Sequence, residues 1–122
     1  MLIIKNVRIV DPASALDMTG DIRIENGKIV TIGSVEAEDG DQVLDGSGLV
    51  AAPGLVDTHV HFRDPGLTYK EDIHTGAHAA AAGGFTSVVC MANTKPVADN
   101  VDTISYIVEK GKKTNIHVYT AA

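Results

Sequence analysis

Between Leu55 and Thr120 the sequence alternates β-branched runs with helical patterns, and this alternation limits the fold more than any other feature of the chain. Leu55–His61, Thr86–Met91 and Ile116–Thr120 read as strands, the second an apolar run of the kind buried on both faces of a parallel sheet. A T-x-x-E capping box, Thr68 to Glu71, opens the helix between the first two strands. Ile73, Ala77 and Ala80 follow at helical spacing, and Gly83-Gly84 stops the pattern. Asp99 or Asn100 caps a second helix, along which Val101, Ile104, Ile107 and Val108 recur and Gly111 marks the end. Strand, helix, strand, helix, strand implies βαβ units on a parallel sheet, an α/β fold.

The residues before Pro53 have a different texture. Leu2–Lys5 and Val7–Val10 are β-branched runs separated by Asn6, and Gln42–Leu44 and Gly48–Ala52 continue the strand pattern. Asp21–Glu25 and Lys28–Gly33 flank Asn26-Gly27, a strong hairpin signal because both central residues of a type I′ turn need positive φ. The register pairs Ile24 with Ile29 and Glu25 with Lys28, and simple alternation then sends Val30 and Ile32 to the other face. Both faces become partly apolar, so residues 1–52 are expected to form part of a small β-sandwich that needs cover on both sides. Residues 53–122 form the second region.

Ten Lys and Arg stand against 16 Asp and Glu, a net charge of −6, which argues against a nucleic-acid-binding surface. No apolar window approaches the roughly 20 residues of a membrane span. The first apolar run, Met1–Ile4, ends at Lys5, so no signal peptide is expected. One cysteine, Cys90, excludes an internal disulfide framework and suits a reducing compartment. A soluble cytoplasmic protein with neither nucleic acid nor membrane as partner is expected.

Chemistry concentrates at the end of the first parallel strand. His59 and His61, two apart, fall on one face of a strand, where two neutral ring nitrogens can hold Zn²⁺. Asp57 is in phase with them and reads as support for the pair rather than as a ligand. His74 and His78 share a helix face without an acidic neighbour and read as surface or packing residues. His117, out of phase with Ile116 and Val118, reads as structural, and Cys90 as a small apolar group. Lys70 and Lys95 read as exposed cations, and Asp64-Pro65-Gly66 as turn chemistry.

The string Pro53-Gly54-Leu55-Val56-Asp57-Thr58-His59-Val60-His61-Phe62-Arg63-Asp64-Pro65-Gly66 closely resembles the metal-binding signature of the dihydroorotases, a cyclic amidohydrolase family. Met91-Ala92-Asn93-Thr94-Lys95-Pro96 resembles the substrate loop of the same family, usually M-P-N-T-x-P, from which Ala92 departs. The resemblance implies a (β/α)₈ TIM-type barrel of roughly 250 residues, of which this chain carries the first three strands and two helices. It implies zinc on His59 and His61, with Arg63 and Asn93 meeting the carboxylate of dihydroorotate. The implied reaction is reversible hydrolysis of that cyclic amide to N-carbamoyl-aspartate in pyrimidine biosynthesis. The family's general acid-base and remaining metal ligands come from later strands, so no catalytic residue is assigned within this span. Related readings are an allantoinase or hydantoinase, in which H-x-H is not usually followed by F-R-D-P-G, and an inactive scaffold for a transcarbamoylase, which tends to lose the histidines. The whole protein is expected to be a homo-oligomer or a transcarbamoylase partner, and these 122 residues an amino-terminal piece, inactive and unstable as a monomer alone.

Overall fold

A computed structural model describes residues 1–122 and divides them into two units, Met1–Pro53 and Gly54–Ala122. The first unit holds strands β1 (Leu2–Asp11), β2 (Leu16–Glu25), β3 (Lys28–Gly33), β4 (Gln42–Asp45) and β5 (Val50–Ala51). They form one sheet in the order β3-β2-β1-β4, with β5 also on β1; β1, β2 and β3 are antiparallel, and β4 and β5 run parallel to β1. Asn26 and Gly27 take φ of 49° and 74°, and the hairpin register is the expected one, Ile24 opposite Ile29 and Glu25 opposite Lys28.

Two irregularities correct the expected distribution of apolar faces. The register slips between Ile4 and Val7, where Asn6 has φ 57°, and again in β3, where Val30 has no partner between Ile29 and Thr31. One extra residue reverses the alternation. Ile32 therefore pairs with Ile22 and lies on the same face as Ile24 and Ile29, not opposite them. Ile4, Val7, Ile9, Ile22 and Ile24 gather on that face and pack together. β2 also extends back to Leu16, beyond the expected Asp21 start: Leu16–Gly20 has little strand propensity of its own, but β1 supplies its pairing edge.

The second unit holds β6 (Leu55–Val60), α1 (Ile73–Ala82), β7 (Phe85–Cys90), α2 (Val101–Gly111) and β8 (His117–Thr120). The three strands are parallel in the order β6-β7-β8. Val88, Cys90 and Val118 pack with Ile73, Ala77 and Ile107 of the helices, so both helices lie on one sheet face. The close approach demands glycine at Gly76, where an added Cβ would stand 2.4 Å from the Phe62 ring. His117 and Tyr119 alternate away from this core and stack at 6.3 Å on the exposed face.

The start of α1 also differs from expectation. Asp72, not Thr68, is the N-cap: its carboxylate accepts from the backbone N–H groups of His74 and Thr75, and the Thr75 hydroxyl accepts from the Asp72 N–H. Thr68 lies inside a turn closed by Leu67 and Lys70, so no helix can begin there. Asn100 caps α2, as expected, through the Thr103 N–H. No helix is long and apolar enough to cross a membrane.

Candidate metal and substrate site

The carboxyl end of β6 carries His59 in its last turn of pleat and His61 just beyond the strand. Their ring centroids are 5.2 Å apart at 65°, and both side chains are exposed. Asp57 accepts from the backbone N–H of His59 at 3.0 Å, so it fixes the chain at the first histidine rather than its ring. His61 Nδ1 meets Asn93 Oδ1 at 2.9 Å. An amide oxygen only accepts, so Nδ1 carries the proton and Nε2 keeps a free lone pair. That is the arrangement of a histidine ready to ligate a metal, its other nitrogen held by an outer partner.

Asn93 reaches His61 because two loops are fastened together. Met91 N–H donates to Val60 O at 2.8 Å, and Lys95 N–H donates to Pro65 O at 3.0 Å. Gly66, at φ 90°, passes so close that a Cβ there would stand 2.0 Å from Lys95 O. Between these ties the buried Thr94 hydroxyl donates to Pro96 O at 2.7 Å, shaping the turn that presents Asn93. The loops pass through cis peptides at Asp64-Pro65 and Lys95-Pro96.

Arg63 does not continue the strand alternation, since β6 ends at Val60 and Arg63 has φ 61°. A left-handed residue with a β-carbon costs about 1–2 kcal/mol and must be held by its surroundings. Its carbonyl accepts from Leu67 N–H at 2.9 Å. Its guanidinium is partly exposed and forms no ion pair. The structure thus brings His59, His61 and Asn93 together and places Arg63 on the adjoining loop. Two imidazole nitrogens suit zinc, but no group of three His, Cys, Asp or Glu gathers within residues 1–122, so the pair offers only part of a ligand set.

Asp64-Pro65-Gly66 forms the expected turn, and Asp64 has a second set of contacts that the turn alone does not explain. It is buried and accepts from the Ile73 N–H at 3.2 Å, the Tyr106 hydroxyl at 3.0 Å and Lys110 Nζ at 2.6 Å. The bond to Asp64 raises the pKa of Lys110. The only trace in sequence is Tyr106 and Lys110 four apart on one face of α2. His74 and His78 are exposed on α1, bordering a groove with Lys113 and Asn115. Burial pushes the Cys90 thiol up to about 11, consistent with an inert packing role.

A parallel βαβ unit with paired histidines at the end of its first strand is the architecture of amidohydrolase-type enzymes. An L-hydantoinase (dihydropyrimidinase) from Arthrobacter aurescens superposes with TM-score 0.78 at 26% identity, over 98% of this chain and 27% of that one. A D-hydantoinase superposes with TM-score 0.78 at 31% identity, over 97% and 26%. The dihydro-orotase-like family model matches residues 48–121, and the chain belongs to that family. It is 55% identical over 122 residues to a dihydroorotase of Streptococcus pneumoniae serotype 4 and 54% identical over 123 residues to one of Clostridioides difficile strain 630. All of this chain is covered in both cases, and it spans 29% of the length of each relative.

Proposed function

We propose that this chain is the amino-terminal segment of a zinc-dependent dihydroorotase. On this reading residues 53–122 begin a (β/α)₈ barrel and residues 1–52 contribute to a small β-sandwich. The observation that carries the reading is the 2.9 Å contact between His61 and Asn93, which joins the two loops implicated separately by the metal and substrate motifs. His59 and His61 would hold zinc, which when bound supplies Lewis acidity toward the ring carbonyl and acidifies water to a pKa of about 7. Asn93 fixes the His61 tautomer, and Arg63 offers a planar, unpaired guanidinium to a carboxylate. Dihydroorotate carries such a carboxylate and an unsubstituted hydantoin does not, which favours the dihydroorotase reading over the hydantoinase one. Retention of both histidines disfavours a purely structural scaffold. The remaining ligands and the general acid-base would lie on later strands, and N-carbamoyl-aspartate would be the product. A lone buried cysteine supports a cytoplasmic location, and the whole protein would be a homo-oligomer or a transcarbamoylase partner.

The test is zinc content and dihydroorotate turnover of the full-length protein beside its His59→Ala/His61→Ala variant. Zinc and activity are expected to disappear together. Unchanged zinc in the variant overturns the ligand assignment, and a wild type that prefers unsubstituted hydantoin overturns the substrate.

A further inference from the structure

Asp64 stands next to Arg63 in the chain, yet none of its partners belongs to its own loop. The Ile73 N–H opens α1, and Tyr106 and Lys110 lie on α2, 42 and 46 residues away. A turn residue needs no such company, since turn positions accept Asn or Ser exposed to water. A carboxylate removed from water persists only where its charge and lone pairs are satisfied, and α2 supplies both a cation and a hydroxyl for the purpose.

We infer that Asp64, clamped by Tyr106 and Lys110, is a positioning residue that sets Arg63 and, through the adjoining loop, Asn93. Arg63 holds a left-handed backbone that its surroundings must impose, and the immobilised residue beside it is Asp64. The next residue, Pro65, accepts from Lys95 N–H at 3.0 Å, and Gly66 lies against Lys95. Two residues before Lys95, Asn93 holds His61 Nδ1. The outer helix therefore governs two substrate-facing side chains without touching substrate. The inference rests on the proposed roles of Arg63 and Asn93.

The test uses the full-length protein with Asp64→Asn and Lys110→Met together, which removes both charges and leaves neither unpaired. KM for dihydroorotate should rise about tenfold with kcat changed less than about twofold, as when uniform substrate binding is lost. Zinc content should match the wild type. Amide exchange at Leu67 and Lys95 should quicken about tenfold while β7 amides keep their rates. A KM that returns to the wild-type value in a variant of normal thermal midpoint overturns the inference, as do unchanged exchange rates at Leu67 and Lys95. Should the double variant fail to fold, Tyr106→Phe decides in its place: faster exchange at the same two amides supports the clamp, and unchanged rates overturn it. A wild type without dihydroorotate turnover overturns the functional reading instead, and the exchange measurement still decides the role of Asp64.

Discussion

In the first unit Asp21 accepts from Lys5 Nζ at 2.6 Å and from the backbone N–H groups of Asn6 and Val35. In the second, Asp64 accepts from Lys110 Nζ at the same 2.6 Å, from the Tyr106 hydroxyl and from one backbone N–H. Both carboxylates are buried and both are trivalent acceptors. Their surroundings separate them. Asp21 holds the β1 irregularity at Asn6 and the segment leaving β3 at Val35, so it pins an irregular sheet in register. Asp64 joins a loop to two helices, and its sequence neighbour Arg63 lies on the loop that adjoins the candidate site. One physical device thus serves register in one unit and, on our inference, ligand geometry in the other.

The comparison breaks most visibly when each carboxylate is removed. Asp64→Ala leaves the Lys110 ammonium without its partner, and breaking a buried pair costs about 3–5 kcal/mol. Because the Lys110 side chain is 25% exposed and can turn toward water, the lower end is expected, about 3 kcal/mol. Asp21→Ala should lower the thermal midpoint too, but leave KM for dihydroorotate at its wild-type value. A rise in KM from Asp21→Ala would erase the distinction between the two units.

A smaller effect sharpens the contrast in packing. Gly76→Ala places a methyl 2.4 Å from the Phe62 ring, and Phe62 follows directly on His61. Relief requires movement of ring or helix, at about 1–3 kcal/mol. Denaturant unfolding should report this loss, and an unchanged midpoint would show that α1 can shift freely over the sheet.

Much of this architecture was legible because its signals are local. Asn26-Gly27 dictates a turn by its own φ preferences, and the helical spacing of Ile104, Ile107 and Val108 survives in α2. His59 and His61 were legible for the same reason, since strand geometry alone places them side by side. What escaped depends on distance or on a single residue. The unpaired Val30 turns Ile32 to the other face with no change in composition. Thr68 and Asp72 both offer capping chemistry, and only the turn at Leu67–Lys70 decides between them. Asp64 is the turn residue its sequence suggests, but its further role stayed hidden because its cation lies 46 residues further on.

The smallest effect separates the two carboxylate networks by pH. Hydrogen bonds from Lys5 and two backbone amides hold Asp21 down from 3.8 to about 2. A depressed carboxylate stabilises the fold above its unfolded value and loses that contribution as pH falls through its folded one, here from 3.8 to about 2. The Lys5 side chain is 30% exposed, so water screens the pair and the loss is modest. Lys110 behaves oppositely: raised above 10.5 by its bond to Asp64, it stabilises the second unit below 10.5 and releases that contribution as pH climbs through the raised value. The amide resonances of Asn6 and Val35, which donate to Asp21, should therefore titrate together with a midpoint near 2, while the Ile73 amide responds on the alkaline side. A midpoint near 3.8 at Asn6 and Val35 would mean that the Asp21 network does not stabilise the ionised form, and the likeness between the two buried aspartates would fail at its root.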